Sequence, residues 1–183
     1  MLKGNLVELR PVKEEDLERV NKWNNDEELT RLASGSNLPY QLNNPHESLK
    51  AHYTKNLTSH NLLKDGIVFS IYATATSEQI GKCDYREFNP ITRCATVGIV
   101  IGEKEYWGRG YGKETIHLLC RHLFYDLNVN RIQLDTWSGN ERAVALYKAC
   151  GFRLEGRLRR NEYVNGEYHD TLILGLLQEE FTH

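Results

Sequence analysis

The chain is predicted to fold as one mixed α/β domain of the α+β kind, residues 1–183, around a mostly antiparallel twisted sheet flanked by about four helices. Three observations lead there. The runs 66–73, 79–88 and 93–102 are strand-like and separated by the short turns "TATSE" and "NPIT", the pattern of an antiparallel meander. Beyond them, stretches with apolar residues at helical spacing alternate with another strand-like run. Near the C-terminus, Asn165-Gly166 sits between two strand-like segments, the strongest short hairpin signal. No repeat, low-complexity tract or linker divides the 183 residues, and that length suits one sizeable core.

Taken in order, "NLVELR" alternates and reads as a strand ended by Pro11. Residues 13–24 place Leu17, Val20 and Asn24 on one helical stripe. The stretch 32–45, "LASGSNLPYQLNNP", is a loop by composition. Asn44, Pro45 and Glu47 then form a helix start: a cap, a proline in the first turn and an acid three residues after the cap. Leu49, Tyr53 and Leu57 follow at four-residue spacing. After the meander, Ile116, Leu119, Cys120, Leu123 and Leu127 mark a helix. Residues 130–137 read as a strand. Residues 140–150 form a short helix with Ala143, Leu146, Tyr147 and Cys150 on one side, stopped at Gly151.

Composition excludes several classes. Forty per cent hydrophobic and 26% charged residues are ordinary for a globular chain, and a net charge of −2 offers no general attraction to nucleic acid or to an anionic membrane. The apolar runs "VGIVI" and "LILGLL" are far shorter than the roughly 18 residues of a membrane span. The start lacks an apolar signal core, so a cytoplasmic protein is expected. Cys83, Cys94, Cys120 and Cys150 have no CxxC spacing and are expected to be reduced thiols. His117 and His122 are five apart rather than four, and no metal site is expected.

Chemistry concentrates at "EYWGRGYGKET", residues 105–115. Three glycines, Gly108, Gly110 and Gly112, lie between a strand and a helix. A dinucleotide fingerprint would need a third glycine where Lys113 stands. A P-loop would need Ser or Thr where Glu114 stands, and Gly where Trp107 stands. What survives is shared physics: bare amides at a helix start, backed by the positive end of the helix dipole, attract a phosphate. Arg109 and Lys113 add positive charge. A tight strand-to-helix turn is the plainer alternative.

About thirty residues on, "NERAVALYKACGF" resembles the signature of the GNAT acetyltransferase superfamily, Asn-x-x-Ala-x-x-x-Tyr-x-x-x-Gly-Phe, at Asn140, Ala143, Tyr147, Gly151 and Phe152. The glycine loop is similar to that superfamily's acetyl-CoA pyrophosphate loop, Gln/Arg-x-x-Gly-x-Gly/Ala. Gly110 and Gly112 match, while Trp107 stands where Gln or Arg is usual. "YWGRGY", the "EG" after "GF" and the opening "LRPVKEEDL" look like the RimJ/RimL-type branch. The resemblance covers essentially the whole chain. It implies the GNAT fold, with a splayed pair formed by the strand before the loop and "RIQLDTW". It implies an acetyl-CoA-dependent N-acetyltransferase in which the amides of Gly108, Arg109, Gly110, Tyr111, Gly112 and Lys113 hold the pyrophosphate. The pantetheine arm would meet the backbone of Ile99, Val100 and Ile101, with Asn140 and Ala143 alongside.

Acetyl transfer to an amine has three demands. A developing oxyanion needs donors, here backbone N–H groups near Ile99 to Ile101. The leaving thiolate needs a proton, and Tyr147 resembles the superfamily's general acid; a buried aromatic anchor is the alternative. The amine must lose a proton, and relatives often carry a Glu for this where Thr96 stands. Glu87 and Asp84 are the substitutes considered, acting through water, with Asp135 on the following strand a third; an amine arriving neutral would need none. Thr96 and Trp107 also keep open a non-catalytic acyl-CoA-binding sensor. A Cys120–His117 nucleophile is weighed against core packing of that thiol. The acceptor is expected to be a protein N-terminal amine or a small amine, with polyamines and aminoglycosides as alternatives. Residues 24–62 would wall the acceptor site, and Asp26, Glu27 and Glu28 would suit a cationic acceptor. The C-terminal hairpin is a candidate dimer surface.

Overall fold

Alternation of apolar residues builds the sheet first. In the computed structural model, which describes residues 1–42, 45–58 and 66–182, eight strands form one sheet: β1 (Leu2–Lys3), β2 (Val7–Pro11), β3 (Ile67–Ala73), β4 (Gln79–Asn89), β5 (Cys94–Ile101), β6 (Arg131–Trp137), β7 (Arg153–Val164) and β8 (Glu167–Leu177). Their spatial order is β1-β2-β3-β4-β5-β6-β8-β7. Every neighbouring pair is antiparallel except β5 and β6. The expected hairpin joins β7 to β8. Asn165 and Gly166 both have positive φ, 54° and 85°, as the two-residue turn that matches strand twist requires.

Six α-helices appear among the described residues, rather than about four: α1 (Leu17–Asn24), α2 (Glu27–Ser34), α3 (Leu38–Gln41), α4 (His46–Thr58), α5 (Tyr111–Arg121) and α6 (Glu141–Ala149). The predicted loop 32–45 is therefore wrong over most of its described length. Asp26 caps α2, its carboxylate accepting from the Leu29 N–H at 3.0 Å, and the chain continues through a 3-10 turn, Gly35–Asn37, into α3. Composition marked Ser, Gly, Asn and Pro as breakers; a capped helix that buries Leu29 outweighed them. The proposed cap Asn44 and the side chain of Leu57 lie outside the described residues.

Side-chain alternation sorts the core into two clusters. The larger joins β2 to β6 and β8 with α5 and α6 through residues such as Ile116, Leu119, Leu123 and Tyr147. The smaller packs Leu17, Val20 and Trp23 of α1, Leu29 of α2 and Leu49 and Tyr53 of α4 on the opposite face. One expected core residue is misplaced. Leu127 is exposed, because the end of α5 runs into a π-turn, His122–Asp126, in which the Leu127 N–H bonds to the His122 carbonyl five residues back. The changed period turns Leu127 outward and buries Phe124.

Candidate active site

Strands β5 and β6 pair only at Cys94–Arg131, Ala95–Ile132 and Thr96–Gln133. Beyond Thr96 they part, while β5 stays paired to β4 as far as Ile101 and β6 to β8 as far as Trp137. The expected splay is thus present, opening from Thr96. The Gly102 N–H donates to the Ile80 carbonyl at 2.8 Å, which sets the alternation of the antiparallel ladder. Even-numbered β5 residues turn their backbone to β4, odd-numbered ones to the gap. Ile99 and Ile101 therefore present main-chain groups to the opening. Val100 does not, which corrects its expected backbone role; its side chain faces the α1–α2–α4 side instead.

The glycine loop stands at the mouth of the gap. Gly108 and Gly110 have φ of 71° and 89°, a left-handed backbone that side chains disfavour. Gly110 is the N-cap of α5 and supplies no side-chain acceptor. The first-turn amides of Tyr111, Gly112 and Lys113 therefore have no acceptor within the helix and no cap. Glu114, in that same turn, is turned away: its carboxylate accepts from the N–H groups of Asn5, Leu6 and Val7 at 2.9, 2.6 and 2.7 Å. This pins the helix start to the β1–β2 turn. Tyr111 packs its ring edge-on to Tyr106, centroids 4.9 Å apart.

Trp107, which stands where the resemblance implies Gln or Arg, makes its own contacts. Its indole N–H donates to the Ile101 carbonyl at 2.8 Å, and its ring carries the Arg142 guanidinium 3.7 Å from the centroid. Leu146, one helical turn along α6 from Arg142, comes within 3.4 Å of where a side chain on Gly112 would begin. One stripe of α6 thus covers both ends of the glycine loop, and Gly112 permits the close approach. Arg109, Lys113 and Arg142 are exposed, and none forms an ion pair among the described residues. Sequence spacing did not single out Arg142; an exposed cation just after the Asn140 cap is the signal that was there.

Helix α6 starts differently. The Asn140 carboxamide oxygen accepts from the Ala143 N–H at 3.1 Å, and its amide nitrogen donates to the Leu32 carbonyl at 2.8 Å. The Trp137 indole donates to that same carbonyl at 3.1 Å. Both polar ends of Asn140 are engaged, tying α6 to the end of α2. Ala143 packs against the main core. Tyr147 is buried, its ring 5.8 Å from that of Phe152, and its hydroxyl has no hydrogen-bond partner among the described residues. Burial, reinforced by the charge of Asp84, raises its pKa above the ordinary 10.

The three base candidates converge. Asp84 is ion-paired to Arg86 at 2.6 Å, and Arg86 also interacts with the charges of Glu87 and Asp135. Arg86 is the residue missed in the sequence; it shares one strand face with Asp84 but carried no motif. Glu87 has a left-handed backbone, φ 55°, next to an irregularity in the β4–β5 register. Its carboxylate accepts from the Thr96 hydroxyl at 2.8 Å. Thr96 lies where the splay begins and where the resemblance noted above implies a Glu. A carboxylate from the neighbouring strand thus reaches the position that lacks one.

Contacts decide two weighed alternatives in favour of the plainer reading. Asp26 and Glu28 do not line an acceptor surface as free acids, because Lys104 pairs with them at 3.1 and 2.5 Å. Cys120 is buried in the main core and burial raises its pKa, while the His117 ring packs on Phe181; there is no thiolate nucleophile. Among the described residues no cluster of His, Cys, Asp or Glu is arranged to hold a metal ion, and no helix is long and apolar enough to cross a membrane.

A splayed strand pair with a glycine-rich, uncapped helix start at its mouth defines an acyl-CoA-binding acyltransferase architecture. The acetyltransferase (GNAT) domain model matches residues 7–153, and the chain belongs to that family. An uncharacterized N-acetyltransferase p20 of Bacillus licheniformis is 31% identical over 113 residues, covering 62% of this chain and 63% of that relative. Spermidine N(1)-acetyltransferase of Vibrio cholerae serotype O1 is 29% identical over 176 residues, covering 94% of both. A crystal structure of spermidine N-acetyltransferase from Vibrio cholerae with CoA and spermine superimposes with a TM-score of 0.83 at 26% identity, covering 97% of this chain and 98% of that one. The protein is an acetyl-CoA-dependent N-acetyltransferase of the GNAT fold.

Proposed function

We propose that the protein, acting as one domain over residues 1–183 in the cytoplasm, moves an acetyl group from acetyl-CoA to the primary amine of a small molecule by direct attack with both substrates bound. The observation that carries this reading is the side-chain-free start of α5 at the mouth of the β5–β6 gap. Acetyl-CoA supplies the acetyl group as a thioester. The amides of residues 108–113 bind its diphosphate, with Arg109, Lys113 and Arg142 adding charge. Arg142, held on Trp107, replaces the polar side chain usual at position 107. Main-chain groups of Ile99 flank the pantetheine arm and the acetyl oxygen.

Two groups handle protons. The Tyr147 hydroxyl, kept protonated by burial and without a hydrogen-bond partner among the described residues, gives its proton to the departing sulfur. Glu87 takes the proton of the amine through water. Glu87 is favoured over Asp84 because Asp84 is ion-paired to Arg86, whereas Glu87 feels Arg86 only at longer range and accepts from the Thr96 hydroxyl at the start of the splay, with no ion pair among the described residues. A left-handed non-glycine residue at such a place is the kind of backbone strain that clusters at functional sites.

For the acceptor, the relatives' names favour a polyamine, while the "YWGRGY" loop and the "EG" after "GF" favour the RimJ/RimL-type branch and an α-amine. Incubation with acetyl-CoA and a panel of primary amines should release free thiol and yield the acetylated amine by mass spectrometry. Tight acetyl-CoA binding with no turnover of any amine would replace this reading with that of an acyl-CoA sensor. No binding at all would remove both.

A further inference from the structure

On the face opposite α5, a cavity of about 400 Å³ lies between α1, α2, α4 and the β4–β5 pair. Its walls include Trp23, Leu29, Leu49, Tyr53 and Val100, and its size suits a small metabolite. Among the described residues that line it, Lys82 is the one charged side chain, and there is no carboxylate. Lys82 pairs in register with Val100, whose strand edges the gap, and lies two residues before Asp84 on the same face of β4.

The Lys82 ammonium is short of partners. It donates to the Asn24 carboxamide oxygen at 3.1 Å, but an ammonium has three protons to donate. Among the described residues no carboxylate lies within ion-pair distance of it, and Asp84 is already paired with Arg86. Burial depresses its pKa below the ordinary 10.5. Charges taken out of water are paired in stable structures, so a half-buried cation that faces a cavity and feels only Asp84, itself committed to Arg86, can take an anion from outside.

We propose that the acetyl acceptor is a small amine that also carries an anionic group, such as an apolar amino acid. The anionic group sits on Lys82, the apolar body lies against Trp23, Leu29 and Tyr53, and the amine points along β4 toward Asp84 and Glu87. Two strand residues span about 6.8 Å, the scale of an amino-acid-sized acceptor. A polyamine would bring further cations beside Lys82 in a low-dielectric cavity, where like charges repel strongly. This inference rests on the proposed acetyl transfer and narrows it against the spermidine named for the relatives.

Matched pairs of acceptors test it, with thiol release read at alkaline pH: L-methionine against L-methioninamide, O-phosphoethanolamine against ethanolamine, and spermidine alone. The wild type should prefer at least one anionic member by about tenfold in kcat/KM, the scale of one charge-assisted hydrogen bond; which pair shows it separates carboxylate from phosphate. Lys82→Gln and Lys82→Met, one polar and one apolar, should each abolish that preference while leaving KM for acetyl-CoA unchanged. Equal or faster use of the neutral partners or of spermidine by the wild type overturns the inference. So does an anion preference that survives both substitutions. Failure of the wild type with every amine overturns the acetyl-transfer reading itself, and this inference with it.

Discussion

Helices α5 and α6 both begin beside the β5–β6 gap, and their first turns are finished in opposite ways. At α6, Asn140 fills its own helix end and spends its remaining donor on Leu32. At α5, Gly110 has nothing to fill it with, and the one acid of the first turn, Glu114, is drawn off by three amides of the β1–β2 turn. A helix start is an anion site only when its own chain leaves the amides unclaimed. The first-turn amides of α5 meet that condition, whereas Asn140 already claims one at α6. This is why α6 serves as a carrier, presenting Tyr147, Arg142 and Leu146 to its neighbours.

Making the two ends alike should have the largest effect. Gly110→Asp gives α5 a capping carboxylate where the diphosphate would bind, and KM for acetyl-CoA should rise on the order of 100-fold, the loss of about two charge-assisted hydrogen bonds. Unchanged KM would mean that these amides are not the binding site. Next, Tyr147→Phe should lower kcat about 100-fold with little change in KM for acetyl-CoA, because α6 would lose a proton donor and no binding contact. The sign of the pH effect follows from burial. With its pKa raised above 10, the phenol keeps its proton, so wild-type kcat should show no alkaline fall below pH 10.

A smaller effect is expected from the contact that joins the two helices. Arg142→Ala should raise KM for acetyl-CoA about tenfold and leave kcat alone, and the same substitution should not affect acetyl-pantetheine, which lacks the diphosphate. An equal loss with both thioesters would assign Arg142 to packing. Smallest is the cap itself. Asn140→Ala should cost about 1 kcal/mol of stability, a fall in Tm of about 2–4 °C for a chain of this size. Asn140→Asp retains the cap acceptor and loses only the donor to Leu32, so it should melt closer to the wild type in a calorimetric scan.

Much of this was legible before folding. The meander, the Asn165-Gly166 hairpin, the glycine-rich turn and the inward stripe of α6 that carries Tyr147 follow from spacing and from backbone needs of single residues, while Phe152 was marked only by the resemblance to the acetyltransferase signature. The failures are equally specific. Leu127 left the core because one π-turn shifted the period, and residues 32–34 became helical because Asp26 caps a helix whose pattern composition had hidden, with a 3-10 turn and α3 continuing to Gln41. Val100 was assigned a backbone role that the ladder register hands to Ile99 and Ile101.

What the chain determines by itself is local: periods of two and 3.6, a left-handed turn where glycine or asparagine permits one, a cap where Asn140 precedes Ala143. Which charges meet was decided only by tertiary structure. Arg142 lies on Trp107, Glu87 reaches Thr96 from the next strand, Arg86 gathers Asp84, Glu87 and Asp135, and Lys82 faces a cavity whose described lining holds no carboxylate. Leu32 is held by donors 105 and 108 residues away. Backbone preferences act between neighbours in the chain, whereas electrostatic and packing partners are neighbours in space, and no spacing rule connects the two until the sheet has set its register.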